Sequence, residues 1–227
     1  MPTLTAKRPA IWLDSRHRYW LGRGPGKRRV PGFTQIATDM GVIRPNGFYT
    51  DQGRAEGVAL HSWLLHLCQG KPDREAHPSI AGRVEGIRKF LRDSRFGIVG
   101  GETPQYDCVT DSAVKPDIWG TINGVRCVID AKRGARVSWH SLQTAAQWGA
   151  LVGTAFVARR RGALYLRNGA YSMDWHDSPE EYQLWRAICR AWHLMTPEQM
   201  ESFRNGILPQ HGNPAMLSAW NAVKAYQ

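Results

Sequence analysis

Two aspartates and a lysine, Asp117, Asp130 and Lys132, stand within the run VKPDIWGTINGVRCVIDAK from Val114 to Lys132. The run reads as a β-hairpin, because Asn123-Gly124 falls between two strand-like segments and Asn-Gly suits a two-residue turn. With that turn, Ile122 faces Val125, Trp119 faces Val128 and Asp117 faces Asp130. Opposed side chains project to the same side of a sheet, roughly 5 Å apart at Cβ, and like charges there repel. Such a pair needs a cation between its members or a shifted pKa. Lys132 lies two residues beyond Asp130 and so shares its face. The opposite face, Ile118, Gly120, Ile122, Val125, Cys127, Ile129 and Ala131, is apolar and suits a core. One unpaired bulge residue would break this opposition.

Asp-x-Lys tripeptides are common, and residues near hairpin ends are ordinarily just solvated. The conjunction of opposed carboxylates, a lysine beside them and an apolar reverse face favours a site. Its chemistry would be phosphodiester hydrolysis. Asp117 and Asp130, with the Ala131 carbonyl between Asp130 and Lys132, offer hard oxygen ligands that suit Mg²⁺ or Mn²⁺, as one or two ions. The metal would polarise a phosphoryl oxygen and lower the pKa of bound water. Lys132 would orient that water or stabilise the charge of the pentacovalent state.

Charge supports an acidic substrate. The 227 residues carry a formal net charge of +11, which favours a polyanionic partner, nucleic acid first and an anionic membrane surface second. No stretch approaches the roughly 20 apolar residues of a membrane span, and the first residues lack a signal-peptide core, so a cytoplasmic protein is expected. The four cysteines form no C-x-x-C pair, which argues against a zinc ribbon or an iron–sulfur cluster. Cys68 and Cys127 sit in apolar runs and read as buried thiols. Most of the ten tryptophans should be core, leaving some that could stack on bases.

The elements that must position the hairpin are legible on both sides of it. Short strands at Ala10 to Leu13 and Tyr19 to Leu21 precede GRGPGKRRVPG, a Gly/Pro loop carrying Lys27, Arg28 and Arg29. That loop is either a solvated hairpin end or a phosphate contact. A short helix over Phe33 to Met40 breaks before Pro45-Asn46-Gly47. Arg54 to Gln69 is expected as a helix with Gly57 and His61 on one face, and Ser79 to Arg92 as another with Ile80, Val84, Ile87 and Leu91 inward. Beyond the glycines of Gly97 to Gly101 and Glu102, a strand is expected near Gln105 to Val109. After the hairpin comes a helix over Ser138 to Leu151, with Leu142, Ala145, Ala146 and Ala150 inward and His140, Gln143 and Gln147 as a polar stripe. Strands at Ala155 to Arg159 and Ala163 to Arg167 would flank a basic Arg160-Arg161-Gly162 turn, with Asn168-Gly169 turning into Tyr171 to Trp175. Arg160 and Arg161 are candidate nucleic-acid contacts beside Lys27, Arg28 and Arg29. Ser178 to Glu181 and Thr196 to Gln199 read as capping boxes with proline at the first helical position, and a last helix runs from Pro214 to near Ala225. The fold class is therefore α/β in the α+β sense, a mixed sheet flanked by helices. One domain is expected over residues 1–227, with a core of about 54–175, an N-terminal elaboration (1–53) and a C-terminal helical region (176–227).

Pro116-Asp117 followed by Asp130-Ala131-Lys132 resembles the motif of the PD-(D/E)XK nucleases, specifically their RecB-like, Cas4-like and phage exonuclease branch. Gly57 through His61 resembles the G-x-x-x-H helix of that branch, and Leu142 through Ala146 its L-Q-x-A-A-Y helix. His17 through Trp20, and Val30-Pro31 through Ile36, resemble the H-x-Y…V-P-S-V-T-Q-I opening of phage members. The resemblance covers roughly residues 10–175. It implies a restriction-endonuclease-like core in which His61, Asp117, Asp130 and the Ala131 carbonyl bind metal. It further implies that Lys132 is the catalytic lysine and that Gln143 positions the lysine, the water or the DNA. Glu102 would be the acidic residue of the first core strand. The chain departs from the pattern in three places: Val114-Lys115 stand where a glycine is usual before the Pro-Asp pair, Gln147 stands where an aromatic is usual, with Trp148 one residue late, and Gly32 replaces a serine.

The expected activity is a Mg²⁺- or Mn²⁺-dependent DNA exonuclease of phage DNA processing or recombination, acting on single- or double-stranded DNA. The phage analogy implies a single-strand annealing protein as partner. A structure- or strand-selective endonuclease on the same site is the alternative, and RNA is a further candidate substrate. A non-cleaving nucleic-acid-binding protein is the reading from another class. The joint presence of Asp117, Asp130 and Lys132 speaks against it.

Overall fold

The computed structural model describes residues 10–44, 50–152, 154–205, 207 and 214–224. Strands β1 (Ile11–Leu13), β2 (Tyr19–Leu21) and β3 (Arg28–Val30) form a small antiparallel sheet in that order. Helices α1 (Phe33–Asp39), α2 (Asp51–Cys68) and α3 (Pro78–Ser94) follow, then β4 (Gly97–Gly101), β5 (Gln105–Asp107), β6 (Ser112–Val114), β7 (Ile118–Ile122) and β8 (Val125–Lys132). Helix α4 (Trp139–Val152) leads to β9 (Arg160–Arg167) and β10 (Ala170–Trp175), before α5 (Pro179–Leu194), α6 (Pro197–Arg204) and α7 (Pro214–Lys224).

The central sheet is mixed and five-stranded, in the order β10-β9-β8-β7-β4. β8 and β9 are parallel and joined through α4, and the other pairings are antiparallel. β7 and β8 meet in the expected register, Ile122 on Val125 and Trp119 on Val128. Asn123 and Gly124 both have positive φ, 49° and 77°, the backbone a two-residue hairpin loop of this kind requires.

Alternation along β8 sends its side chains to two different layers. Cys127, Ile129 and Ala131 join Ile118, Leu164 and Leu166 in a core covered by Leu60, Trp63 and Leu64 of α2 and Val84, Ile87 and Phe90 of α3. Val128 on the reverse face packs with Leu151 at the end of α4 and with Phe156 and Ala158. The face that carries Asp130 is thus also packed, and the histidine helix and the glutamine helix lie on opposite faces of the sheet. Outside α4 a larger core gathers α1, α5, α6 and α7 around Trp185, Ile188 and Phe203, with Leu142, Ala146 and Ala150 reaching it from α4. None of the helices among the described residues is long and apolar enough to cross a membrane.

Several local expectations are corrected. The run 155–167 is not a hairpin. Arg160 to Arg167 is one strand paired in parallel with β8, so Arg160-Arg161-Gly162 lies inside a strand and the residues before it are the return from α4. Arg28 and Arg29 lie on β3 rather than in a loop, and a single 3-10 turn at Gly24–Gly26 precedes them. Helix α2 begins at Asp51 because Thr50 caps it, its side chain accepting from the Gly53 N–H. Phe90, rather than Leu91, completes the buried stripe of α3. Thr196 and Gln199 form the reciprocal capping box, whereas Ser178 caps α5 without one, since the Glu181 carboxylate is taken by Arg161. Pro45-Asn46-Gly47 and Ala225 lie outside the described residues.

Strand β4, GIVGG, has no strand-like pattern of its own, and only the resemblance, through Glu102, implied a core strand here. Its glycines are there because the neighbouring strand comes close: a Cβ on Gly101 would stand 2.4 Å from the Asp117 carbonyl oxygen, and one on Gly100 would enter the Trp119 ring. The register shifts between Ile98 and Gly100, a bulge after which Gly100 and Gly101 pair again with Trp119 and Ile118 and the strand ends just before Glu102. From the other strand, a Cβ on Gly120 would lie 2.1 Å from the Gly97 carbonyl oxygen. Gly120→Ala is therefore expected to lower unfolding free energy by about 1–3 kcal/mol, as overpacking against backbone does. Urea unfolding monitored by tryptophan fluorescence would measure it.

Candidate metal centre

β7 begins at Ile118, so Asp117 stands one residue before the strand and its first ladder pair, Ile118 with Ile129. Its Oδ2 accepts the Ala131 N–H at 2.7 Å. Its Oδ1 is 3.3 Å from Nδ1 of His61, which reaches the sheet end from α2. Glu102 closes the group from β4, with Oε1 3.7 Å from the same nitrogen. One ligand atom each from His61, Glu102 and Asp117 lie within 4.8 Å of one another, an arrangement that could hold a metal ion. Glu102 has φ of 51°, a left-handed conformation uncommon outside glycine. Its N–H donates to the carbonyls of Pro116 (2.9 Å) and Asp117 (3.2 Å), which pins the backbone there. Glu102 Oε1 and Asp130 Oδ2 are both buried without a hydrogen bond; Asp130 Oδ2 has the Lys132 ammonium against it, whereas Glu102 Oε1 has only the more distant His61 ring, and a cation would satisfy it.

Asp130, one of the two expected carboxylate ligands of the hairpin, belongs to a second group. Its Oδ1 accepts from Gln147 Nε2 at 2.5 Å and from Gln143 Nε2 at 3.2 Å, both on α4. Its Oδ2 is in contact with the Lys132 ammonium. Lys132 in turn donates to Gln143 Oε1 at 2.6 Å and lies over the Trp139 ring, 5.4 Å from its centroid. The polar stripe of α4 thus faces the sheet: Gln143 and Gln147 hold Asp130, and His140 Nδ1 meets the Tyr165 hydroxyl at 2.8 Å. For Ala131, the N–H is the group engaged.

Electrostatics separate the two aspartates. Burial raises Asp117 to about 7, against the pull of His61. Burial also acts on Asp130, but the Lys132 charge and the hydrogen bonds from Lys132 and Gln147 outweigh it and hold Asp130 below the ordinary carboxylate value. The Asp117 charge raises His61 despite burial, with Asp130 and Glu102 adding to it. Burial and the Lys132 charge drive His140 down to about 3, so it stays neutral behind the lysine.

These groups open into a cavity of about 350 Å³ whose far wall is the N-terminal sheet and the start of α1. Arg18, Tyr19 and Arg29 line it opposite Lys115 and Lys132. Burial pushes the Tyr19 hydroxyl up to about 12, with Glu102 adding to the rise. The Tyr19 ring also explains Gly32: a Cβ there would stand 2.9 Å from it. Of the five basic residues expected to touch nucleic acid, Arg29 reaches the cavity. Arg28 is bonded to Asp111 and Tyr106, and the exposed Lys27 lies over the Trp12 and Trp20 rings. Arg160 pairs with Asp177 and stacks on Trp175. Arg161 is buried, bonded to Glu181 and the Ser178 carbonyl, and is not a surface contact.

The bond from Gln147 to Asp130 and the pairing of Lys115 with Glu102 were not read from the sequence. Gln147 had one local signal, its four-residue spacing from Gln143 on a helix. Lys115, whose ammonium pairs with Glu102, had none.

No protein-family model matches the chain, and no curated protein matches it in sequence. Among solved structures it is similar to a candidate exonuclease from Eubacterium rectale, with 14% identity, 72% of this chain and 73% of that chain covered, and a TM-score of 0.42.

A metal ion must displace protons from Asp117 and His61, both raised. Ion affinity is therefore expected to fall as pH drops through about 7, where Asp117 takes up its proton, roughly tenfold per pH unit for each proton displaced, with the raised His61 adding to the fall. Mn²⁺ titration calorimetry in buffers of different ionisation enthalpy would read both the affinity and the proton count.

Proposed function

We propose that this chain is a divalent-metal-dependent deoxyribonuclease, an exonuclease that hydrolyses phosphodiester bonds in DNA. The observation that carries the reading is the meeting, at one end of the β7–β8 hairpin, of two unlike groups. One is the His61, Glu102 and Asp117 cluster, and the other is Lys132 fixed between Asp130 and Gln143. The order of the sequence motifs supports the same reading, together with a setting in phage DNA processing or recombination in the host cytoplasm.

His61, Glu102 and Asp117 would hold Mg²⁺ or Mn²⁺, which when bound supplies a Lewis acid for the phosphoryl oxygen and lowers the pKa of its water. Lys132 presents its ammonium to the negative charge that develops on the phosphate. Asp130 and Gln143 fix the direction of that ammonium, and Gln147 fixes Asp130. The packed surroundings of Asp130, which is 2% exposed, leave it no freedom to pair elsewhere. Arg18 and Arg29, on the opposite wall, suit the phosphates flanking the one attacked, a contact that carries no base information.

End-labelled single- and double-stranded DNA incubated with Mg²⁺, Mn²⁺ or EDTA tests the reading. Release of terminal nucleotides that stops in EDTA is expected, and cutting of closed circular single strands would mean an endonuclease instead. Asp130→Ala should abolish cleavage while DNA binding stays measurable; digestion at the wild-type rate would sink the site. Lys132→Ala is expected to slow hydrolysis by roughly 10²–10³-fold, the cost of one lost donor to transition-state charge. Its metal affinity should change little.

A further inference from the structure

The carboxylate oxygens of this corner are matched one by one. Asp117 Oδ2 is taken by the Ala131 N–H, Asp130 Oδ1 by the two glutamines and Glu102 Oε2 by Lys115, while Asp130 Oδ2, without a hydrogen bond, is matched by the Lys132 charge. That leaves Asp117 Oδ1 and Glu102 Oε1, and these two face His61 Nδ1. A second ion of the kind found in two-metal phosphodiesterases would sit about 3.5–4 Å from the first and share carboxylate oxygens with it. The protein's own donors already hold the oxygens it would need.

We infer that the centre takes a single divalent ion, and that Lys115 is a positioning residue whose ammonium stands on Glu102 in place of a second one. The inference rests on the metal-site reading above and adds the ion count and the part played by Lys115. Lys115 lines the cavity beside Asp117 and Lys132. It occupies the position just before the Pro-Asp pair, and no other cation contacts Glu102 Oε2 among the described residues. The charges agree. Three carboxylates and two ammonium groups leave one net negative charge. One divalent ion turns that into one net positive charge, the complement of a single phosphodiester. A second divalent ion would leave an excess of three. Lysine suits the post, being a compact charge on a flexible stem that holds one oxygen and leaves its partner oxygen to the ion.

Mn²⁺ binding without DNA, followed by titration calorimetry and by electron paramagnetic resonance, tests the inference. Wild-type protein is expected to bind one Mn²⁺ per chain, with no coupled two-ion signal. Lys115→Met, which keeps the stem and removes the charge, frees Glu102 Oε2. It should admit a second, weaker ion, since one carboxylate oxygen and several waters suffice for such a cation. Lys115→Arg should restore the count of one. Two ions per chain in the wild type would overturn the inference whatever the variants do. An unchanged count and affinity in a folded Lys115→Met protein would remove Lys115 from it. One bound ion without cleavage of any nucleic acid would instead count against the nuclease reading and leave the ion count standing. Two ions with cleavage intact would do the reverse.

Discussion

Carboxylates withdrawn from water must each find a donor or a cation, and this demand governs the centre of the molecule. Asp117 and Asp130 are both almost fully buried, at 4% and 2% exposed, and Glu102 is only partly open. A lone buried carboxylate ordinarily gives up its charge. Here the two aspartates resolve the conflict differently. Asp130 keeps its charge because Lys132, Gln143 and Gln147 surround it, while Asp117, given one backbone N–H and a histidine, is pushed toward the neutral form. One corner therefore holds a permanent anion that fixes a lysine and a variable anion that can take up either a proton or a metal.

The surrounding architecture serves that division. β8 is the hinge between the two layers, because its alternating residues serve the α2–α3 core on one side and α4 on the other. A histidine from one layer and two glutamines from the other consequently reach the same strand end without competing for space. β4 adds Glu102 from the sheet edge, where a left-handed backbone turns its side chain toward His61. Each contributor is anchored in a separate packed element, which is how a site gains rigidity.

Much of this was legible in the chain. Asn123-Gly124 and the alternation around it gave the register of the hairpin, and the apolar spacing of Leu142, Ala145, Ala146 and Ala150 gave the buried side of α4. The failures have physical causes. β4 carries no strand pattern because its glycines answer to a neighbouring backbone that no local pattern contains. Arg160-Arg161-Gly162 reads as a turn because Arg161 finds its partner on α5, in a stretch of sequence beyond the strand. The sequence places His61, Glu102, Asp117, Asp130, Lys132 and Gln143 in one set, but not the contacts that each makes in the fold. Register places two carboxylates on one side of a ladder, yet only three dimensions reveal which oxygen a lysine or an N–H has already claimed.

The wall opposite the metal corner carries a last consequence. β3 and α1 are seated by a bridge from Gly32 to Ala113 and by Phe33 against Trp185. The first three strands pair with one another, but what seats them on the rest of the molecule lies about eighty residues and more away, and such non-local contacts slow folding. A chain emerging N-terminus first holds Tyr19 and Arg29 long before it holds anything for them to face. The cavity is a product of completed folding, because its two walls come from stretches of chain far apart in sequence.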